Sequence, residues 1–245
     1  LLFKHLAYTF NRGARALAYG ITGGPSHASK QSDTFTKPYY VIINRMSTDF
    51  ALTADMALGL LAGDLKRKEM LSGRLADIHS YLFIATSILK YYESGKRTEA
   101  EQKHAELALN KALFNAQEAF FGFYENFPVK VAAKLVKLIC FPFGRPVAKP
   151  TDHLKQEVAQ LLLQENAFRE ELKEHVYYTT EATDVMGRME STFQMLLTMQ
   201  PLWDKFKRAE SKDKFKGLSF EERIHDAVAI DFITPAEADK LLKYN

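Results

Sequence analysis

The chain has 245 residues, 33 Lys and Arg against 30 Asp and Glu, a net charge of +3 and 47% hydrophobic residues. That length can bury a core in one large or two small domains, and the apolar content is ordinary for a globular protein. The net charge is too small to imply a nucleic-acid partner, the broken apolar runs exclude a membrane-spanning helix, and the single Cys140 excludes an internal disulfide or a CxxC pair.

Residues 1 to 21 read as a helix with Phe3, Leu6, Ala7, Phe10, Ala14 and Leu17 on one side, ended by Gly23-Gly24-Pro25. A chain opening on Leu1-Leu2 in mid-helix, without an initiator Met, is expected to be cut from something longer. The Ser- and Thr-rich stretch from Pro25 to Thr36 reads as a loop. From Pro38, which suits a first helical turn, Tyr40, Ile43, Met46, Phe50, Ala54, Ala57 and Leu61 keep the helical period. Gly59 and Gly63 mark close packing or a bend, and the helix is expected to run on toward Leu71–Glu93. There Leu71, Leu75, Ile78, Leu82, Ala85 and Leu89 form one apolar stripe.

Thr98 with Glu101 makes a capping box that opens a long helix to Asn126. Pro128 restarts a short helix from Val129 to Phe141. The segment FPFGRPVAKPTD, residues 141–152, holds three prolines and a glycine and is the clearest break. Beyond it, Asp152 is the expected cap of a helix at 153–164. Helical stretches at 165–175 and 184–199 follow, and the latter is expected to continue at 203–214 beyond Pro201. Ser219 with Glu222 and Thr234 with Glu237 cap two short closing helices, 219–230 and 235–244. The expected fold is all-α: a helical bundle over residues 1–145, with its central helices at 38–126, and a second, smaller helical subdomain over 146–245.

Little in the chain is chemistry. The seven histidines form neither HxxxH nor HExxH, so no metal ligands are expected. His79 lies near the stripe of its helix and reads as a packed histidine ahead of a ligand-orienting one. The carboxylate pairs Glu170-Glu171, Glu221-Glu222 and Glu99 with Glu101 lie in charged surroundings. Glu118, among Ala116, Ala119 and Phe120, is the nearest to an acid–base setting, but a surface position is the better reading. Gly20 to Gly24 has neither the P-loop lysine nor dinucleotide spacing.

Residues 129–145, VKVAAKLVKLICFPFGR, are more informative. Lys130, Lys134 and Lys137 share one helical face, and Leu135, Leu138 and Ile139 lie on others. A basic amphipathic helix ending in Phe-Pro-Phe suits a membrane surface, and Lys130, Lys134, Lys137, Phe141, Phe143 and Arg145 are the candidate contacts. The alternative is a core helix with a solvated lysine edge. Lys66, Arg67, Lys68 and Arg74 form a second basic patch, which reads first as helix-end charge. Phe120, Phe121, Phe123, Tyr124 and Phe127 crowd one helix end, and some are expected to face a partner or a neighbouring domain.

Five blocks in order carry a resemblance: ITGG at 21–24, NRMSTDFALTADMALGLLAGDLKRKEMLSGRLADIHSYLF at 44–83, LKYYE at 89–93, NFPVKVAAKLVKLICFPFGR at 126–145 and PTDHLKQEVAQLL at 150–162. From about Leu2 to Leu242, the chain resembles the C-terminal helical extension of the large bacterial acyl-CoA dehydrogenases of fatty-acid β-oxidation. The resemblance implies a whole enzyme that uses FAD to oxidise fatty acyl-CoA to trans-2-enoyl-CoA and passes electrons to an electron-transferring flavoprotein. The flavin-binding core and the catalytic glutamate lie upstream in the family, so no catalytic residue is assigned here, neither Glu118 nor Glu93, and no flavin is expected on this segment alone. What it implies for the segment is packing on that core, homodimer contacts or membrane association, in a cytoplasmic protein peripheral to the inner membrane. The competing reading is a free-standing helical membrane-surface or protein-interaction module.

Overall fold

A computed structural model of the chain describes all residues except Leu1, Ser26, Thr180, Ala182, Asp213, Leu218 and Asn245; the side chains of residues 2–6 and of Tyr244 are also outside the description. Phe3 and Leu6, read as part of the first apolar stripe, therefore lie outside the described residues. Among those described there are ten α-helices and no strand, so the domain is all-α. The chain forms two compact units, Leu1–Leu161 and Leu162–Asn245.

The first unit holds α1 (Leu2–Thr22), α2 (Thr36–Leu61), α3 (Glu69–Ser94), α4 (Glu99–Asn126), α5 (Lys130–Cys140) and most of α6 (Asp152–Leu162). Its backbone is the α3–α4 hairpin, against which α2 and α5 pack. The apolar stripe of α3 points into it: Leu71, Ile78, Leu82, Ala85 and Leu89 are buried. The Thr98 capping box is formed, with Glu101 N–H donating to Thr98 Oγ1 at 3.2 Å and Thr98 N–H to Glu101 Oε2 at 3.2 Å.

Several local expectations change. Helix α2 does not run into α3. Ala62 takes a left-handed φ of 44°, and a short 3-10 segment, Ala62–Arg67, separates them. A Cβ at Gly59 or Gly63 would meet nothing within 4 Å, so neither is a close-packing point. The cap of α6 is Thr151, whose Oγ1 accepts from Leu154 N–H at 3.2 Å; Asp152 stands inside the first turn, paired with Lys155 at 2.8 Å. The break at 141–152 does not divide the units. Gln117 clamps Val147 by accepting from its N–H and donating to its C=O, both at 2.9 Å, and Lys103 pairs with Glu157 at 3.2 Å. These ties bind the proline-rich segment to α4 within the unit Leu1–Leu161.

The crowded aromatics do not face outward. Phe120, Phe121, Phe123, Tyr124 and Phe127 are all buried in the first unit's core. Helix α4 has α3 and α5 packed against it, so the rings of its last turns fill the interior instead of a partner surface.

Gly20 marks the close approach of α1 to α5. A Cβ there would sit 2.9 Å from the Ile139 carbonyl oxygen and 2.9 Å from Pro142 Cδ. Because one of these atoms is backbone, Gly20→Ala is expected to cost about 1–3 kcal/mol. Urea unfolding checks this, and an unchanged midpoint would mean that α1 is not held there.

The second unit holds α7 (Ala167–Lys173), α8 (Val185–Glu210), α9 (Phe220–Ala229) and α10 (Pro235–Tyr244), the last three of which surround a smaller core of Phe206, Ile224, Ala227 and Leu241. Asn166 caps α7, and Arg169 and Lys173 each reach Glu190 of α8 at 3.2 Å. Pro201 lies inside a continuous α8, although proline removes an N–H and crowds the preceding turn. Burial of Met199, Phe206 and Ala209 on the same helix offsets that cost. Both closing capping boxes are present, at Ser219 with Glu222 and at Thr234 with Glu237.

Candidate functional site

Helix α5 is split lengthwise. At 100° per residue, Ala133, Val136 and Cys140 fall on one side, and all three are buried. The opposite side carries Val131, Leu135 and Leu138 at i, i+4 and i+7, with relative exposures of 80, 58 and 61%. Phe143, in the turn that follows, is 80% exposed. Lys130, Lys134 and Lys137 run along one edge of this apolar stripe, as the helical spacing requires.

The six candidate contacts therefore separate. Lys130, Lys134 and Phe143 are exposed, and Lys130 Nζ also donates to the Glu125 carbonyl at 2.8 Å. Lys137 and Arg145 fold back over the Phe121 ring, at 4.5 and 4.0 Å from its centroid, and Arg145 Nε donates to Glu118 Oε1 at 2.8 Å. Phe141 is withdrawn from the set. It is buried, with its ring against Phe120 and Phe121 at 5.3 and 5.2 Å. Glu118 is thereby an exposed ion-pair partner, and His79 is exposed with its ring 5.8 Å from that of Phe50.

Behind α5 lies a polar cluster that sequence reasoning missed. Asp49 of α2 is fully buried, and among the described residues neither of its carboxylate oxygens has an N–H or O–H donor. Its polar neighbours are Arg45 Nε at 3.8 Å and the Cys140 thiol. Arg45 also donates from Nη2 to the Cys140 carbonyl at 2.9 Å, which ties α2 to the end of α5. Thr53 Oγ1 and the Tyr124 hydroxyl are 2.7 Å apart, which ties α2 to α4. Burial pushes the Asp49 carboxyl up to about 7, partly offset by Arg45. Burial and the adjacent carboxylate push the Cys140 thiol up as well, so it is no nucleophile. The only sequence signal for the cluster was a polar i, i+4, i+8 row in α2, Arg45, Asp49 and Thr53. A second buried carboxylate, Glu93, accepts from the Tyr40 hydroxyl at 3.0 Å and from Lys90 at 3.3 Å.

These groups hold helices together and do not converge on a reaction site. The unpaired atoms of Asp49, Glu93 and Arg45 lie outside two clefts of about 400 and 510 Å³ in this unit. Asp49 and Glu93 are closed in by helix packing, and neither lines a cleft that a cofactor could enter, so these residues do not fit FAD. Among the described residues no group of three or more His, Cys, Asp and Glu could hold a metal ion, and no helix is long and apolar enough to cross a membrane.

Fold and surface together define an all-α domain that displays a helix with an exposed apolar stripe edged by lysines. Its family follows from comparison with known proteins: residues 1–245 match the family described as acyl-CoA dehydrogenase, C-terminal, bacterial type, and the chain belongs to that family. No solved structure matches it.

Proposed function

We propose that this chain is the helical C-terminal part of an FAD-dependent acyl-CoA dehydrogenase that oxidises fatty acyl-CoA to trans-2-enoyl-CoA, and that its own task is to seat that enzyme on an anionic membrane surface. The flavin, the acyl-CoA and the catalytic glutamate belong to the dehydrogenase core of the same polypeptide. Electrons leave that core to an electron-transferring flavoprotein. Family membership supports the oxidoreductase reading of the whole protein.

The observation that carries the membrane role is the outward stripe of Val131, Leu135 and Leu138, continued by Phe143 and edged by Lys130 and Lys134. An interfacial helix needs an exposed apolar face with cations beside it, the apolar part entering the acyl boundary and the lysines meeting anionic headgroups. A second apolar stripe, Phe10, Ala14, Leu17 and Ile21 on α1, is also exposed and supports packing against the core or a homodimer partner.

The test is sedimentation with vesicles of phosphatidylcholine and phosphatidylglycerol. Lys130→Glu with Lys134→Glu is expected to weaken binding at least about tenfold, since each surface cation near an anionic bilayer contributes about 1 kcal/mol and reversal adds repulsion. Leu135→Ser with Leu138→Ser is expected to weaken binding on neutral and anionic vesicles alike. All four positions are exposed, so circular dichroism should not change. Failure of the unaltered chain to bind, or binding by both variants as tight as that of the unaltered chain, would overturn the membrane role.

A further inference from the structure

The ITGG block turns the chain sharply between α1 and α2. Gly23 and Gly24 take positive φ values of 94° and 119°, and a Cβ on Gly24 would lie 2.9 Å from the Val41 carbonyl oxygen. Only glycine allows the chain leaving α1 to turn this closely over α2. The turn delivers Pro25 and His27 to the cleft between α1 and α2. Asn44 Nδ2 then fixes the strap by donating to the His27 carbonyl at 2.6 Å. The result is a cavity of about 400 Å³.

Its walls are rich in donors. Helix α1 contributes Arg12, Arg15 and Tyr19, helix α2 contributes Asn44, Ser47 and Thr48, and the strap contributes His27. Among the described residues no carboxylate lines it. Arg12 is neutralised by its ion pair with Asp55, but Arg15 has no carboxylate partner among the described residues; its guanidinium lies 5.8 Å from the centre of the Tyr19 ring. The Ser47 and Tyr19 hydroxyls form no hydrogen bond among the described residues.

We propose that this cavity binds a phosphate group, as a phosphate monoester or a diphosphate. A tetrahedral dianion has several acceptor oxygens at wide angles. A guanidinium, two hydroxyls and an imidazole on three separate segments can meet them together, and a planar carboxylate would leave some of these donors unused. The site stands apart from the α5 face and does not depend on the membrane role. The phosphate could belong to a soluble compound or to a lipid headgroup, and the chemistry of recognition is the same.

The experiment is a pyrophosphate titration of the 245-residue chain, followed by amide chemical shifts. A parallel arm uses phosphatidic acid vesicles with the Lys130→Glu, Lys134→Glu chain, so that α5 does not contribute. Saturable shifts are expected at Arg15, His27, Asn44 and Ser47, with affinity weakened about tenfold or more by Arg15→Gln and abolished by Ser47→Glu. Arg67→Gln, which removes an exposed cation elsewhere, should leave the affinity unchanged. Arg15-dependent binding of pyrophosphate supports a soluble ligand, and Arg15-dependent binding of the vesicles alone supports a headgroup. No saturable binding in either arm, or equal binding by Arg15→Gln, overturns the proposal.

Discussion

Replacing Asp49 by Asn is expected to remove a pH dependence of stability that the unaltered chain shows between about pH 4 and about pH 7. The sign follows from the raised pKa. In the unfolded chain Asp49 ionises near its ordinary value of 3.8, whereas in the fold it holds its proton up to about 7. Between those values the folded state binds the extra proton, so stability falls as pH rises and levels off above about 7. The total loss is of the order of a few kcal/mol, since each tenfold difference in proton affinity between the folded and unfolded chain corresponds to about 1.4 kcal/mol. The cause is physical: above that pH, a carboxylate with no N–H or O–H donor must ionise inside the core, with Arg45 3.8 Å away as partial compensation. Urea unfolding of both proteins across this range measures it. The difference between the two curves isolates Asp49 from the other titrating groups. Parallel curves would show that the carboxyl ionises normally and is hydrated.

Phe120→Ala is the most damaging single truncation expected in the first unit, at about 3–5 kcal/mol. Phe120 has no exposed surface and packs edge-on against Phe141, which anchors the end of α5. Truncation would open a cavity and loosen the turn that carries Phe143 and Arg145. The same variant separates two views of the aromatic cluster. A ring facing a partner would cost little in the isolated chain, because its contacts would not yet exist, whereas a core ring costs its full burial. A thermal or urea midpoint near that of the unaltered chain would contradict the packing described above.

Helices with a strong local signal were legible from the residues. The Thr98 and Glu101 capping box, the α3 stripe and the two closing boxes were legible because they depend on groups three or four positions apart. The α2–α3 junction was not, because Ala62 adopts a left-handed conformation that its residue type does not advertise. The continuation past Pro201 was legible from the residues on either side, and α8 runs through it without a break.

The α5 site divides in the same way. Its amphipathic period was readable, but the fate of its ends was not. Phe141 and Phe143 are two residues apart with the same ring, yet one is buried and the other 80% exposed. Likewise Lys134 stays exposed, whereas Lys137 is drawn over Phe121.

By itself, then, the sequence determined an all-α chain, most of its helix limits and its kinship with the acyl-CoA dehydrogenase C-terminal family, all of which rest on local periodicity and ordered blocks of residues. The tertiary structure alone decided that the apolar stripes of α1 and α5 stay exposed while that of α3 is covered, where the first unit ends, and that Asp49, Arg45 and Cys140 meet. Those outcomes depend on contacts between residues far apart in the chain, such as Arg45 with the Cys140 carbonyl and Gln117 with Val147, and no local pattern encodes them.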